Sequence, residues 1–434
     1  MTRSNASTVS PLRPTGVDPI SVLDSPDKIK GLVCRECHRE YPAQPIYVCE
    51  HCFGPLEVQY RYGDIQTHIS REKIAAGPHN LWRYIDLLPV SPRTLVNLQA
   101  GCSPMIAATH LGRKLGLKNL FLKNDAINPT HSFKDRVVSC AASKALEFGF
   151  TTLSCASTGN LANATAAAAA KAGLQCVIFI PDNLEPGKII GTIIYGAHLI
   201  KVKGNYDDVN RLCSEIAGKY RWAFVNVNLR PYYAEGSKTL GYETVEQLGW
   251  SYPDHVVVPV ASGSLLTKIY KGFTEFHKIG LMDKAPHTRF SAAQASGCNP
   301  VVHAITQNHD YITPVKPITI AKSLAIGNPA DGFYAKEVVK QTGGAGAEAS
   351  DTEIVAAIEL LAETEGIFTE TAGGVTIAAL KKLCAEGQIS KNDLTVAYIT
   401  GVGYKTQEAV AHIGTRAYSC AANLKAFEEL NIVK

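Results

Sequence analysis

The chain lacks most of the features that would assign it to a special class. Its 434 residues contain no uninterrupted apolar run of the about 20 residues that a membrane span needs. The nearest stretch is LANATAAAAAKAGLQCVIFI at 161–180, and Lys171 with Gly173 splits it into an Ala-rich helix and a short β-branched strand, so no membrane partner is expected. An excess of one charge is missing too. The 43 basic and 39 acidic residues give a formal charge of +4 and are interleaved along the chain, which argues against a nucleic-acid partner. The first twenty residues, MTRSNASTVSPLRPTGVDPI, lack the apolar segment of a secretory signal and read as a disordered arm over 1–25. Repeats at solenoid spacing are absent. So are a strand-borne GxGxxG with its later acidic residue and a GxxxxGK[ST] phosphate loop, which removes the common dinucleotide and nucleotide sites; GVGYKT lacks the third glycine.

What is present begins with cysteine. Twelve occur, and without a secretory signal they imply a reducing compartment, so a cytoplasmic location is expected. Eight are scattered in apolar settings such as LSCAS and LQCVIF, where a reduced thiol packs as a small hydrophobe. The other four, Cys34, Cys37, Cys49 and Cys52, form two CxxC pairs eleven residues apart. Each pair can wrap one side of a tetrahedral ion, and REYPAQPIYV can turn back to join them, the pattern of a zinc ribbon. His38 and His51 are bystanders, since four thiolates complete the shell. With little basic character around it, the ribbon at 26–62 reads as a structural module stapled by Zn2+.

From about residue 118 short apolar runs alternate with helical patterns. NLFLKND, TLSCAS, QCVIFIP, HLIKVKG, AFVNVN, HVVVPVAS, RFSAAQAS and TVAYITG read as strands, while NYDDVNRLCSEIAGKY and DTEIVAAIELLAETEG carry helix periodicity. Such alternation predicts an α/β fold of open twisted sheets flanked by helices, with ligands at the C-terminal strand ends. The core is expected to run from 63 to 434, with a smaller subdomain of about 130–235 inserted in the larger one. Four strand ends carry chemistry: NPTHSFKDR with Lys134, STGN at 157–160, ASGSLL at 261–266 and TGVG at 400–403. Gly/Ser-rich turns into helices offer free N–H groups and a positive dipole end to anions. An isolated lysine is ordinarily a solvated charge. A lysine, an anion cradle, a second small-residue loop and a strand-end hydroxyl together are what pyridoxal 5'-phosphate requires.

NPTHSFKDR, CASTGN, PVASGSLL, EGIFTETAGG and ITGVGYKT, in that order over 128–405, resemble the fold-type II pyridoxal-phosphate enzymes (tryptophan synthase β-like), and most closely the threonine synthases. The ribbon followed by FGPLEV is similar to the ribbon-bearing threonine synthases of the plant and cyanobacterial kind. The resemblance implies that Lys134 holds the cofactor covalently and shuttles protons. It places Asn160 on the cofactor's phenolic oxygen, and Ala261, Ser262, Gly263, Ser264 and Leu265 around its phosphate. Thr400 faces the ring nitrogen. Ser157, Thr158 and Gly159 receive the substrate carboxylate, and Lys123, Arg230 and Lys238 are candidates for the substrate phosphate. The implied reaction turns O-phospho-L-homoserine and water into L-threonine and phosphate, and a homodimer is implied as well. Asp135 and Arg136 read as an ion-pairing, helix-start feature.

Departures from the family pattern bear on substrate choice. GCSPM at 101–105 stands where GxTPL is usual, His131 sits near the lysine, and TGVGYK sets Val402 and Tyr404 beside the cofactor. β-Replacement on phosphoserine-like substrates (cysteate synthase-like), β-elimination from serine or threonine (dehydratase-like) and a paralogue of secondary metabolism therefore stay open. A ribbon protein with a decayed core is a fourth reading, and intact Lys134, Asn160 and Thr400 argue against it.

Overall fold

A computed structural model describes residues 28–432 apart from 47, 158, 183 and 205; the arm expected over 1–25 and the substrate candidate Thr158 lie outside the described residues. The strands in chain order are β1 (Ile29–Cys34), β2 (Glu40–Tyr41), β3 (Leu56–Tyr60), β4 (Met105–Ala107), β5 (Asn119–Asn124), β6 (Thr152–Ala156), β7 (Gln175–Pro181), β8 (His198–Val202), β9 (Ala223–Phe224), β10 (His255–Pro259), β11 (Arg289–Ala295), β12 (Gly346–Ala349) and β13 (Leu394–Ile399). They form an antiparallel ribbon β2-β1-β3, a six-stranded sheet β12-β11-β10-β13-β5-β4 and a four-stranded sheet β8-β7-β6-β9. In the larger sheet only the β4–β5 pairing is antiparallel, and the smaller one is parallel throughout. Every residue of β6 and β10 is buried, as parallel strands covered by helices on both faces must be.

The topology fixes where the strand-end loops meet. The chain leaves the larger sheet after β5, builds the smaller sheet and returns at β10, while β13 closes the gap between β5 and β10. Asn124 pairs with Ile399 and His255 with Thr395, so β5, β13 and β10 end level with one another. The loops carrying Lys134, Thr400 and Ser262–Leu265 therefore open at one edge. β6, in the other sheet, sends Ser157–Asn160 toward the same place.

Local structure follows the sequence in most elements. The 161–180 segment splits as expected: the helix Asn160–Ala172 ends at Gly173 in the left-handed region (φ 67°), and β7 follows. Alanine suits a helix buried all round from Asn160 to Ala169, because it packs closely at no rotamer cost. AFVNVN is the exception. Only Ala223 and Phe224 pair in the sheet, and then side chains take over the backbone's hydrogen bonds: Phe224 N donates to Asn228 Oδ1 (2.8 Å), and Asn226 Nδ2 donates to Ala156 O (3.0 Å). Asparagine amides compete with a ladder in this way.

The ribbon is welded to the core by charge. Glu57 on β3 pairs with Lys268 (2.8 Å) and Lys271 (2.6 Å), both on the helix Ser264–Lys278. Tyr60 Oη donates to Glu235 Oε2 (2.8 Å). Among the described residues no helix is long and apolar enough to cross a membrane.

Candidate active site

A cavity of about 200 Å³ opens where the four loops converge, lined by Lys134, Asn160, Ser262–Leu265 and Thr400, with Arg230, Tyr233 and Glu370 completing the wall. Lys134 is the first residue of the helix Lys134–Glu147. It is aimed by its neighbours: Phe133 N donates to Thr400 O (3.0 Å), Ser132 bridges Gly401, and the amine lies 4.4 Å from the Phe133 ring centroid. Lys134 Nζ donates to Tyr233 Oη at 2.9 Å. Burial lowers its pKa to about 8, against the opposing pull of Glu370. Desolvation penalises the ammonium form, which leaves a nucleophilic amine available near neutral pH.

The β6 loop is rigid for a chemical reason. Ser157 Oγ accepts from Gly159 N (2.9 Å) and Ala162 N (2.8 Å), capping the helix Asn160–Ala172 from outside. Gly159 has φ 125°, a conformation reserved for glycine, and the buried stem of Lys188 occupies the space its side chain would need. Asn160 is held at both ends of its amide. Nδ2 donates to both carboxylate oxygens of buried Glu370 (2.9 Å each), and Oδ1 accepts from Lys405 Nζ (3.1 Å). An ammonium can only donate, so Asn160 must turn its amide N–H₂ to Glu370, which lines the cavity with it. Lys405 also donates to Thr130 O, and burial lowers its pKa to about 8.

The third loop is a cradle. Gly263 precedes the helix Ser264–Lys278 with φ 99°, and a Cβ there would lie 2.5 Å from Asp331 O. The bare turn can therefore pack against the Asp331 backbone while the helix N-terminus, a favourable place for an anion, opens on the cavity. Asp331 N donates to Ser262 O (2.8 Å), and the Asp331 carboxylate takes Arg230 Nη2 at 2.7 Å, which keeps the guanidinium protonated on the cavity wall. Ser323 Oγ, also on that wall, is enclosed without a hydrogen-bond partner. An activated amine, an open cradle, a buried hydroxyl residue at Thr400 and an unsatisfied donor suit pyridoxal phosphate, so these residues fit that group.

Two wall residues, Glu370 and Tyr233, and Lys405 behind Asn160 carry no assignment from the sequence. Glu370 lies in the quoted EGIFTETAGG and Lys405 in ITGVGYKT, so their motifs were visible, but Tyr233 had no signal beyond its place beside Arg230. Two candidates for substrate phosphate stand elsewhere. Lys123 is fully buried and donates to Glu243 (2.6 Å), Ser103 O (2.6 Å) and Gln247 (2.9 Å). Lys238 is fully buried between Glu235 (2.7 Å) and Glu275 (3.0 Å), over the Tyr60 ring. All of Lys123's ammonium donors are spent on the protein, Lys238's are engaged by its two carboxylates and Leu87 O, and neither residue lines the cavity, so both are structural.

Arg136, read as a helix-start ion pair, is likewise fully buried and joins Asp125 (2.7 Å) to Glu243. Burial alone would raise the Glu243 pKa, but Arg136 and Lys123 hold it down to about 2. Asp135 accepts from Thr130 N and Thr130 Oγ1 (2.7 Å each).

His131 has a backbone role. Its φ is 60°, its side chain is exposed, and its N–H and C=O join Asn128 O to Val402 N (2.6 and 3.2 Å). Histidine is among the side chains that visit this region most readily. Tyr404 is 72% exposed and packs edge-on against Phe368, and neither it nor Val402 lines the cavity, contrary to the expectation that both sit beside the cofactor. Apart from the cavity, the Sγ atoms of Cys34, Cys37, Cys49 and Cys52 all lie within 4.8 Å of one another, a spacing one tetrahedral ion can fill.

Comparison with known proteins gives a consistent picture. A family model described as pyridoxal-phosphate dependent enzyme matches residues 96–401. A threonine synthase of Methanocaldococcus jannaschii is 38% identical over 87% of this chain and 93% of its own length, and one of Methanosarcina acetivorans is 37% identical over 92% and 98%. A diaminopropionate ammonia lyase from Escherichia coli superposes with a TM-score of 0.62 over 74% of this chain and 90% of that one at 18% identity, a likeness of fold. Tomato threonine deaminase isoform 2 does so at 0.59, over 72% and 88%, with 22% identity. With an amine of lowered pKa and a glycine-containing helix N-terminus lining one cavity at the strand ends of a fold-type II core, the chain belongs to the pyridoxal-phosphate-dependent enzymes and, among them, to the threonine synthase family of lyases.

Proposed function

We propose that this chain converts O-phospho-L-homoserine and water into L-threonine and phosphate. The observation that carries the reading is the convergence on one cavity of the Lys134 amine, two helix N-termini and the Arg230 guanidinium. Pyridoxal phosphate, when bound, supplies an electron sink that acidifies the hydrogens of the substrate carbons. Lys134 holds it covalently and then, as a free amine, moves protons at those carbons. The Gly263–Ser264 turn takes the cofactor phosphate, Asn160 faces its phenolic oxygen and Thr400 its ring nitrogen. The β6 loop with Ser157 and Gly159 receives the substrate carboxylate, and Arg230 meets the substrate phosphate.

The reading extends to the whole chain. The four cysteines hold a structural zinc ion, the ribbon spans 26–62, and the core from 63 carries a smaller lobe of about 130–235 that contains the second sheet. The enzyme works as a cytoplasmic homodimer with neither nucleic acid nor membrane as partner.

Phosphate release measured with O-phosphohomoserine beside O-phosphoserine tests the central assignment. Turnover of the former well above the latter is expected. A clear preference for O-phosphoserine would overturn it in favour of β-replacement or β-elimination.

A further inference from the structure

Tyr233 stands closer to the reactive amine than any group the family resemblance assigned. Its hydroxyl accepts from Lys134 Nζ at 2.9 Å, while the amine lies 5.6 Å from the ring centroid, so the contact is made at the phenolic oxygen and not on the ring face. Tyr233 and Arg230 are three residues apart on the short helix Arg230–Glu235, on one face, and both line the cavity. Asp331, on the same cavity wall, fixes Arg230 at 2.7 Å. The phenol is 8% exposed, and burial pushes its pKa well above the ordinary value, which keeps it protonated.

Resting on the reaction proposed above, we infer that Tyr233 is a catalytic residue that relays a proton from Lys134 to the departing phosphate. Lys134 takes a proton from the substrate carbon next to the one bearing the phosphate. The electron pair of that C–H bond forms the new C=C bond, and the pair of the C–O bond leaves on the phosphate oxygen. Tyr233 gives its hydroxyl proton to that oxygen as it accepts the proton held on Lys134. The amine is neutral again, the phenol is restored, and phosphate departs with the proton the substrate lost. A phenol that resists ionisation suits this concerted exchange, because it never has to persist as phenolate. Arg230 on the same helix face draws the phosphate oxygens to the hydroxyl, and a leaving group protonated as it departs needs less charge stabilisation than a free trianion.

The test is Tyr233→Phe as holoenzyme, assayed on O-phosphohomoserine and on 2-amino-3-butenoate, which already carries the double bond and has no phosphate to lose. Bound cofactor is counted by its absorbance. One equivalent of cofactor should remain. Turnover of O-phosphohomoserine should fall about 100-fold or more, the usual worth of a general acid, while conversion of 2-amino-3-butenoate stays within about threefold of wild type. Equal loss on both substrates would overturn the relay and leave Tyr233 as a support for Lys134. Loss of bound cofactor would overturn it as well, as would no loss on O-phosphohomoserine. A wild type active on the butenoate but not on O-phosphohomoserine would sink the reaction itself, and the relay with it.

Discussion

Lys134 is chemical because its ammonium form is costly where it stands. Burial brings its pKa to about 8 and Glu370 limits the fall. The amine should therefore be half-available near pH 8 instead of near 10.4, its ordinary value. The rate at which cofactor-free protein captures pyridoxal, followed between about pH 6 and pH 10, should rise through that midpoint. Glu370→Gln removes the charge that favours the ammonium, so the midpoint should move down; an upward move would show that Glu370 does not face the amine. Lys134, Asn160 and the cradle were legible at this scale because short glycine-rich turns at strand ends leave few other uses for such residues. Lys123 was not, since Glu243 is 120 residues away, and Lys238 was not, since Glu235 three residues before it holds it in the interior only together with Glu275, 37 residues away. Glu370 escaped for the same reason, meeting Asn160 across 210 residues.

At the scale of elements, two features hold the cavity open. The helix Ser264–Lys278 can present its N-terminus only because Gly263 adopts a conformation closed to other residues. Gly263→Ala should weaken cofactor binding by about tenfold or more, on the order of the 1–3 kcal/mol that such strain costs, and an absorbance titration reads it. The second feature is the buried Arg136, which ties β5's exit through Asp125 to the helix Lys238–Gln247 through Glu243. Arg136→Ala strands the buried Asp125 carboxylate and leaves Glu243 to Lys123 alone, and a loss of about 3–5 kcal/mol in urea-unfolding stability is expected.

Most elements were readable from periodicity, because strands buried on both faces are continuous apolar runs. β12 was not, for its Gly346–Ala349 has no β-branched residue and is held by the register of β11. β9 was over-read, since Asn226 and Asn228 end it with their own amides.

The whole molecule joins a small ribbon to a large core. Arg35 and Glu36, inside the first CxxC turn, reach Tyr334: the guanidinium lies 3.5 Å over its ring, and the phenol donates to Glu36. Tyr334 follows Asp331, the partner of Arg230, by three residues. A metal that fixes the CxxC turn would thus steady one wall of the cavity. Purified protein should carry about one zinc per chain, and its removal by a chelator should lower the thermal midpoint by several degrees or more, because a structural ion contributes folding energy outright. Less than about one tenth of an equivalent would contradict the zinc assignment. The CxxC spacing made the ribbon legible, whereas its welding to the core through Glu57, Glu235 and Lys268 rests on pairings no single stretch displays.

Everything above depends on Lys134 being the residue joined to the cofactor. Reduction of the holoenzyme with borohydride, then proteolysis and mass spectrometry, places the pyridoxyl group on one lysine. That group should lie on the peptide containing Ser132-Phe133-Lys134. A label on Lys188 or Lys405, which neighbour Gly159 and Asn160, would contradict it.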